Sequence, residues 1–172
     1  INFEELKFLQ PGISWSPESD KIVIAAKAGA SDALYLIDVN SDKQEKIAFD
    51  LDGVFTASWS PNGEKLAFVG NEGGASDIYT YEISSKKTTN LTNDVFSDTE
   101  PSWSPDGEKI IFVSDRGVMS NGIKTTAKDM IDHNYEQSDI FIIDLNSKNI
   151  NQITNTVYNE NYPIFSNTEN KL

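Results

Sequence analysis

Cysteine is absent from this chain of 172 residues, and histidine and arginine occur once each, as His133 and Arg116. Without cysteine there are no disulfides, thiolate metal sites or cysteine nucleophiles. A single histidine excludes an imidazole-rich zinc site within the chain and the HExxH metalloprotease motif. A single arginine leaves one side chain for bidentate capture of a carboxylate or phosphate. Basic residues are scarce, 14 against 27 acidic, for a net charge of −13. Nucleic acid and anionic membrane surfaces both demand a basic patch, so neither is expected as a partner. No apolar run approaches the ~20 residues of a spanning helix, and no membrane insertion is expected. The chain starts at Ile1, with no methionine and no apolar leader, so it reads as a processed or excised piece.

What is present is a repeat. Gly12-Ile13-Ser14-Trp15-Ser16-Pro17 returns as Thr56-Ala57-Ser58-Trp59-Ser60-Pro61 and again as Glu100-Pro101-Ser102-Trp103-Ser104-Pro105, in steps of 44 residues. A weaker copy, Tyr162-Pro163-Ile164-Phe165-Ser166, follows after 62. Tyr35, Tyr79 and Phe141 keep the same steps, as do Asp38, Glu82 and Asp144, and Ile47, Leu91 and Ile153. The step of 62 is 44 plus an insertion of 18 residues, placed at about 117–137.

Each unit reads as four short strands, here a to d. Strand a ends at the tryptophan. A Ser-Pro turn follows, with proline presetting φ and glycine tolerating the fourth position in Ser60-Pro61-Asn62-Gly63 and Ser104-Pro105-Asp106-Gly107. Strand b is apolar on both faces (Ile22–Ala25, Leu66–Val69, Ile110–Val113), so both faces should be covered. Strand c holds the Tyr35, Tyr79 and Phe141 series, and strand d ends at Ile47, Leu91 and Ile153. Four strands in about 44 residues match a β-propeller blade, which buries its two faces only against neighbouring blades. Trp15, Trp59, Trp103 and Phe165 are therefore expected between blades. Asp77 and Asp139, ahead of strand c, are expected to cap local backbone.

These units resemble the TolB-type propeller repeat, a relative of the WD repeat. The best copy runs through Trp103–Lys109, Ser114–Gly117 and Ser138–Phe141. The first unit departs from it, with Glu18-Ser19-Asp20 for Asp-Gly-Glu and Ala33 where Asp77 and Asp139 stand. The resemblance implies an all-β fold, a location that is periplasmic or otherwise extracytoplasmic, and one of three settings. These are a TolB-like protein that binds a lipoprotein, the non-catalytic propeller of a prolyl-oligopeptidase-like or tricorn-like protease, and a propeller joined to envelope domains.

The expected organisation is a single partial β-propeller domain over 1–172. Blade repeats lie at about 9–48, 53–92 and 97–154, with a partial blade at 159–172. Residues 1–6 take the place of a strand d. Propellers have four to eight blades, and three do not close a ring. The remaining blades are expected from the same longer chain or from another copy.

Strands alternate in direction, so the d–a and b–c connections share one rim, which carries the longer loops and the insertion. Recognition usually sits on such loops. The candidate partner-binding residues there are Asp50, Asp52, Asp94, Asp98, Glu100, Tyr158 and Glu160. Lys124, Lys128, His133 and Tyr135 join them from the insertion, where apolar spacing predicts a short helix near 124–132. No metal site and no cofactor are expected, beyond calcium or magnesium at an acidic channel mouth. Catalytic residues are not expected: Gly12-Ile13-Ser14-Trp15-Ser16 lacks the final glycine of a nucleophile elbow, and phosphate-loop and dinucleotide motifs are missing. The reading is a non-catalytic, TolB-like scaffold, not an enzyme, that binds a protein or peptide. The alternative is the substrate-gating propeller of a hydrolase whose catalytic domain lies outside this sequence.

Overall fold

The computed structural model describes residues 5–6, 12–28, 31–41, 43–117 and 137–166. These contain thirteen β-strands, all in antiparallel pairs, and no helix. The first sheet holds β1 (Glu5–Leu6), β2 (Ser14–Trp15), β3 (Lys21–Ala28), β4 (Ser31–Asp38) and β5 (Gln44–Ala48). The second is β6 (Gly53–Trp59), β7 (Lys65–Glu72), β8 (Ala75–Glu82) and β9 (Lys87–Asn90), in that spatial order. The third is β10 (Asp98–Trp103), β11 (Lys109–Ser114), β12 (Asp139–Asp144) and β13 (Ile150–Gln152). Each sheet is one blade, and the repeat step is the blade step.

Strand alternation divides every blade between two neighbours. In β7, Leu66 and Phe68 join a core with Val23, Ala25, Leu34 and Leu36 of the first blade. Ala67 and Val69, on the opposite face, join Trp103, Ile110, Phe112, Phe141 and Ile143 of the third. A slip of one residue would exchange these two sets, so the double-sided apolar pattern locks the register. Trp59 and Trp103 are each 8% exposed, and Trp103 Nε1 donates to the carbonyl of Ser58 at 3.2 Å. Trp15, with no blade before it, is 56% exposed.

Polar bonds repeat with the same step. Asp32 Oδ2 accepts from Val54 N (3.4 Å), Ser76 Oγ donates to Asp98 O (3.2 Å) and Ser138 Oγ donates to Glu160 O (3.3 Å). Each ties strand c of one blade to the start of strand a in the next unit. In the a–b turns, Ser16, Ser60 and Ser104 are buried, and each hydroxyl accepts the backbone N–H of Lys21, Lys65 or Lys109 at 2.9 Å.

Strand a is bulged. The β6–β7 register shifts at Thr56 (φ 33°) and the β10–β11 register shifts around Glu100 (φ 56°). Tyr162 repeats the left-handed conformation (φ 56°). Pro101 and Pro163 follow two of these positions, where an edge-strand bulge tolerates a residue without an N–H donor. Two expectations are corrected. Glu5–Leu6 pair with Lys27 and Ala26 of β3, on the edge that β2 also uses, so they extend strand a and do not form a strand d. The copy at 161–166 keeps the conformation of strand a but enters no strand ladder among the described residues, because no strand b lies beside it.

Ser19 (φ 58°) occupies the turn position of Gly63 (φ 73°) and Gly107 (φ 72°). A side chain is strained there, and glycine is not. Ser19→Gly is expected to raise stability by about 0.5–1 kcal/mol, read as a higher urea midpoint, despite the entropy glycine adds to the unfolded chain.

Candidate functional site: a buried arginine under the long-loop rim

Asp77 and Asp139 close the c–d edge of their blades in parallel ways. Asp77 accepts from Asn90 Nδ2 (2.8 Å), Thr92 Oγ1 (2.9 Å) and Asp94 N (3.3 Å). Asp139 accepts from Gln152 Nε2, Thr154 Oγ1 and Thr156 N, each at 3.3 Å. Thr92 and Thr154 also accept the N–H of Ile78 (3.1 Å) and Ile140 (2.8 Å). One short acidic side chain thus shapes the start of each of these two d–a loops. The first blade has Ala33 at this position and cannot do so.

The third blade adds a charged cluster. Arg116 Nη2 donates to Asp94 (2.9 Å) and to Asp98 (2.7 Å), with the arginine side chain 1% exposed and the Asp98 side chain fully buried. The guanidinium carbon stands 5.1 Å from the Phe112 ring centroid and 5.5 Å from those of Phe96 and Phe141. A weakly hydrated, planar cation suits such a wall of rings. Ser97 N bonds Asp115 Oδ1 at 2.8 Å beside it. One blade earlier, the positions of Asp98 and Arg116 hold Val54 and Glu72. The buried pair is thus particular to the blade that carries the insertion. Asp98 Oδ1 and Arg116 Nη1 are buried without a hydrogen-bond partner.

Burial pushes the Asp98 carboxyl from 3.8 up to about 7, with Arg116 pulling it back only part of the way. Asp77, Asp94 and Asp98 bring carboxylate oxygens within 4.8 Å of one another, the kind of ligand a hard cation takes. Arg116 already holds two of the three.

The other candidate residues are dispersed along the rim. Asp50 and Asp52 are exposed, and Asp52 accepts the Gly73 N–H at 2.9 Å. Glu100 is buried and its carboxylate accepts the Tyr162 N–H. Glu160 accepts from Thr156 Oγ1 at 2.6 Å, and Tyr158 is exposed. Lys124, Lys128, His133 and Tyr135, with the expected helix near 124–132, lie outside the described residues. Arg116 was missing from the candidates. Its signals were its uniqueness, its place in Ser114-Asp115-Arg116-Gly117, and the change from Val54 to Asp98 across one repeat step.

Three stacked four-stranded blades, open at both ends, define a partial β-propeller. The family model described as TolB beta propeller domain matches residues 7–129, and the chain belongs to that family. A search of curated proteins finds no match. Among solved structures, TolB from Acinetobacter baumannii aligns with a TM-score of 0.68 at 22% identity, covering 91% of this chain and 35% of that one. The putative TolB from Agrobacterium tumefaciens gives 0.65 at 19%, covering 85% and 50%. The propeller domain of the Trilobed protease from Pyrococcus furiosus gives 0.55 at 14%, covering 87% and 42%. The chain therefore spans half or less of these structures, and at such identities the likeness shows the fold alone.

Two predictions follow from the cluster. The raised carboxyl of Asp98 binds a proton in the folded state that the unfolded state releases between pH 3.8 and about 7, so this group's contribution to stability is lost as pH rises through that window. Asp98→Asn should flatten the fall in urea midpoint across the window relative to the parent. Arg116→Met should destabilise by about 3–5 kcal/mol by stranding buried carboxylates, whereas Asp98→Val with Arg116→Met should recover most of that loss. Urea unfolding of the two variants side by side measures both.

Proposed function

We propose that this chain is a non-catalytic propeller scaffold that engages a protein or peptide through its long-loop rim. The observation that carries the reading is the rim's surface. Val95 and Val157, repeat equivalents in successive d–a loops, are both exposed, as is Tyr158. Around them the same class of loop carries the exposed Asp50 and Asp52 and the partly exposed Asp94 and Glu160. Apolar side chains set among carboxylates suit a partner segment that alternates basic and apolar residues. Beneath them, Asp77, Asp139 and the Arg116 cluster hold the loops in shape, so that little ordering is left to complete on binding. An extracytoplasmic setting goes with this reading by resemblance.

A second reading, favoured by the likeness to the Trilobed protease propeller, makes the chain a substrate-gating part of a hydrolase. A Gly-x-Ser-x-Gly motif elsewhere in the full-length gene product would support it.

The test is titration of a labelled Lys-Leu peptide, with its Glu-Leu counterpart as control. Saturable binding of the first, weakened by added salt, is expected. Replacing Asp50, Asp52 and Glu160 by their amides should cost about two- to fivefold for each charge that the peptide meets. Equal binding of both peptides, or binding indifferent to salt, would remove the proposal.

A further inference from the structure

We propose that two copies of this chain close into one ring by exchanging a strand: residues 161–166 of each copy add to the inner edge of β3 in the other. The donor is preformed. Tyr162 holds the left-handed bulge of strand a, as Glu100 does in β10, and the Glu100 carboxylate binds its N–H. Phe165, at the repeat position of Trp59 and Trp103, is 8% exposed as they are. The segment is thus seated against the third blade as a strand a, and only its ladder partner is missing from the described residues.

The acceptor is incomplete in the complementary way. β7 makes six register pairs with β6 along its inner edge. β3 makes two with β1 and two with β2, and Ile24 and Ala25 lie between these pieces. The resident strand is short, and its Trp15 is left 56% exposed. A longer copy of the same strand would cover more of that edge. The exchange sets the third blade of one copy beside the first blade of the other, as the second already stands beside the first within one chain. Three blades from each copy give six, inside the range of four to eight over which propellers close. A two-fold axis along the channel relates the copies and uses up both open ends.

The register is specified by the repeat. Ser102 and Trp103 stand opposite Ile111 and Ile110, so Ile164 and Phe165 should stand opposite Val23 and Ile22 of the other copy. Because the chain has no cysteine, Val23→Cys with Ile164→Cys introduces the only two thiols. Oxidation should give a covalent dimer on a denaturing gel, and neither single variant should give the doubly linked species. Light scattering of the unmodified chain should show the mass of two chains at high concentration. That mass should be favoured by salt, because each copy carries a net charge of −13. Removing residues 161–172 should return the mass of one chain, a readout that does not depend on whether the cysteine variant folds. Three outcomes would overturn the exchange: one chain at every concentration and salt, a cross-link found only within a chain, or a dimer that survives the truncation. A further blade supplied by a longer chain of the same repeat would appear as the first of these.

Discussion

A sheet that is apolar on both faces cannot bury itself. Everything in this chain follows from that constraint. β7 shows it most clearly, since alternate residues of one strand belong to two cores, one shared with the blade before and one with the blade after. The hydrophobic energy is therefore stored between blades, and each blade is stable only to the degree that its neighbours are present. The tryptophan at the end of strand a is the largest single contributor to this joint, and its burial in the second and third blades against its exposure in the first reports where a neighbour stands.

Polar groups follow the same logic. The bonds from Asp32, Ser76 and Ser138 to the next unit recur with the repeat although the side chains differ, because the backbone positions that must be joined do not. Asp77 and Asp139 likewise organise a threonine and a backbone N–H in each of two d–a loops. Against this regular background, Asp98 and Arg116 stand out. They put opposite charges where the preceding blade has a valine and a glutamate, inside a wall of three aromatic rings. A buried ion pair is weak evidence for stability, since desolvation offsets the attraction. Its fitting role is to hold the d–a loop, through Asp94 and Asp98, against the end of β11.

Much of this was legible without coordinates. The repeat step placed all three blades, their strand order and the turns, because turn chemistry and two-faced strands are local properties of sequence. The capping role of Asp77 could be reasoned from its short side chain ahead of strand c. Less legible were the residues whose meaning depends on distant partners. Glu100 reads as a loop carboxylate on an acidic rim, yet it is buried and holds the Tyr162 backbone. Glu5–Leu6 read as a strand d by spacing, yet they pair on the inner edge of β3, where two short pieces share the work of one strand.

The amino-acid sequence alone determined the blade: its period, its strands, its Ser-Pro turns and the need for neighbours, since each rests on residues close together in the chain. Only the tertiary structure decided which carboxylates meet. Asp94, Asp98 and Arg116 are separated along the chain and converge because β10 and β11 lie side by side. What a charge does once buried depends on the rings and partners that the fold brings to it.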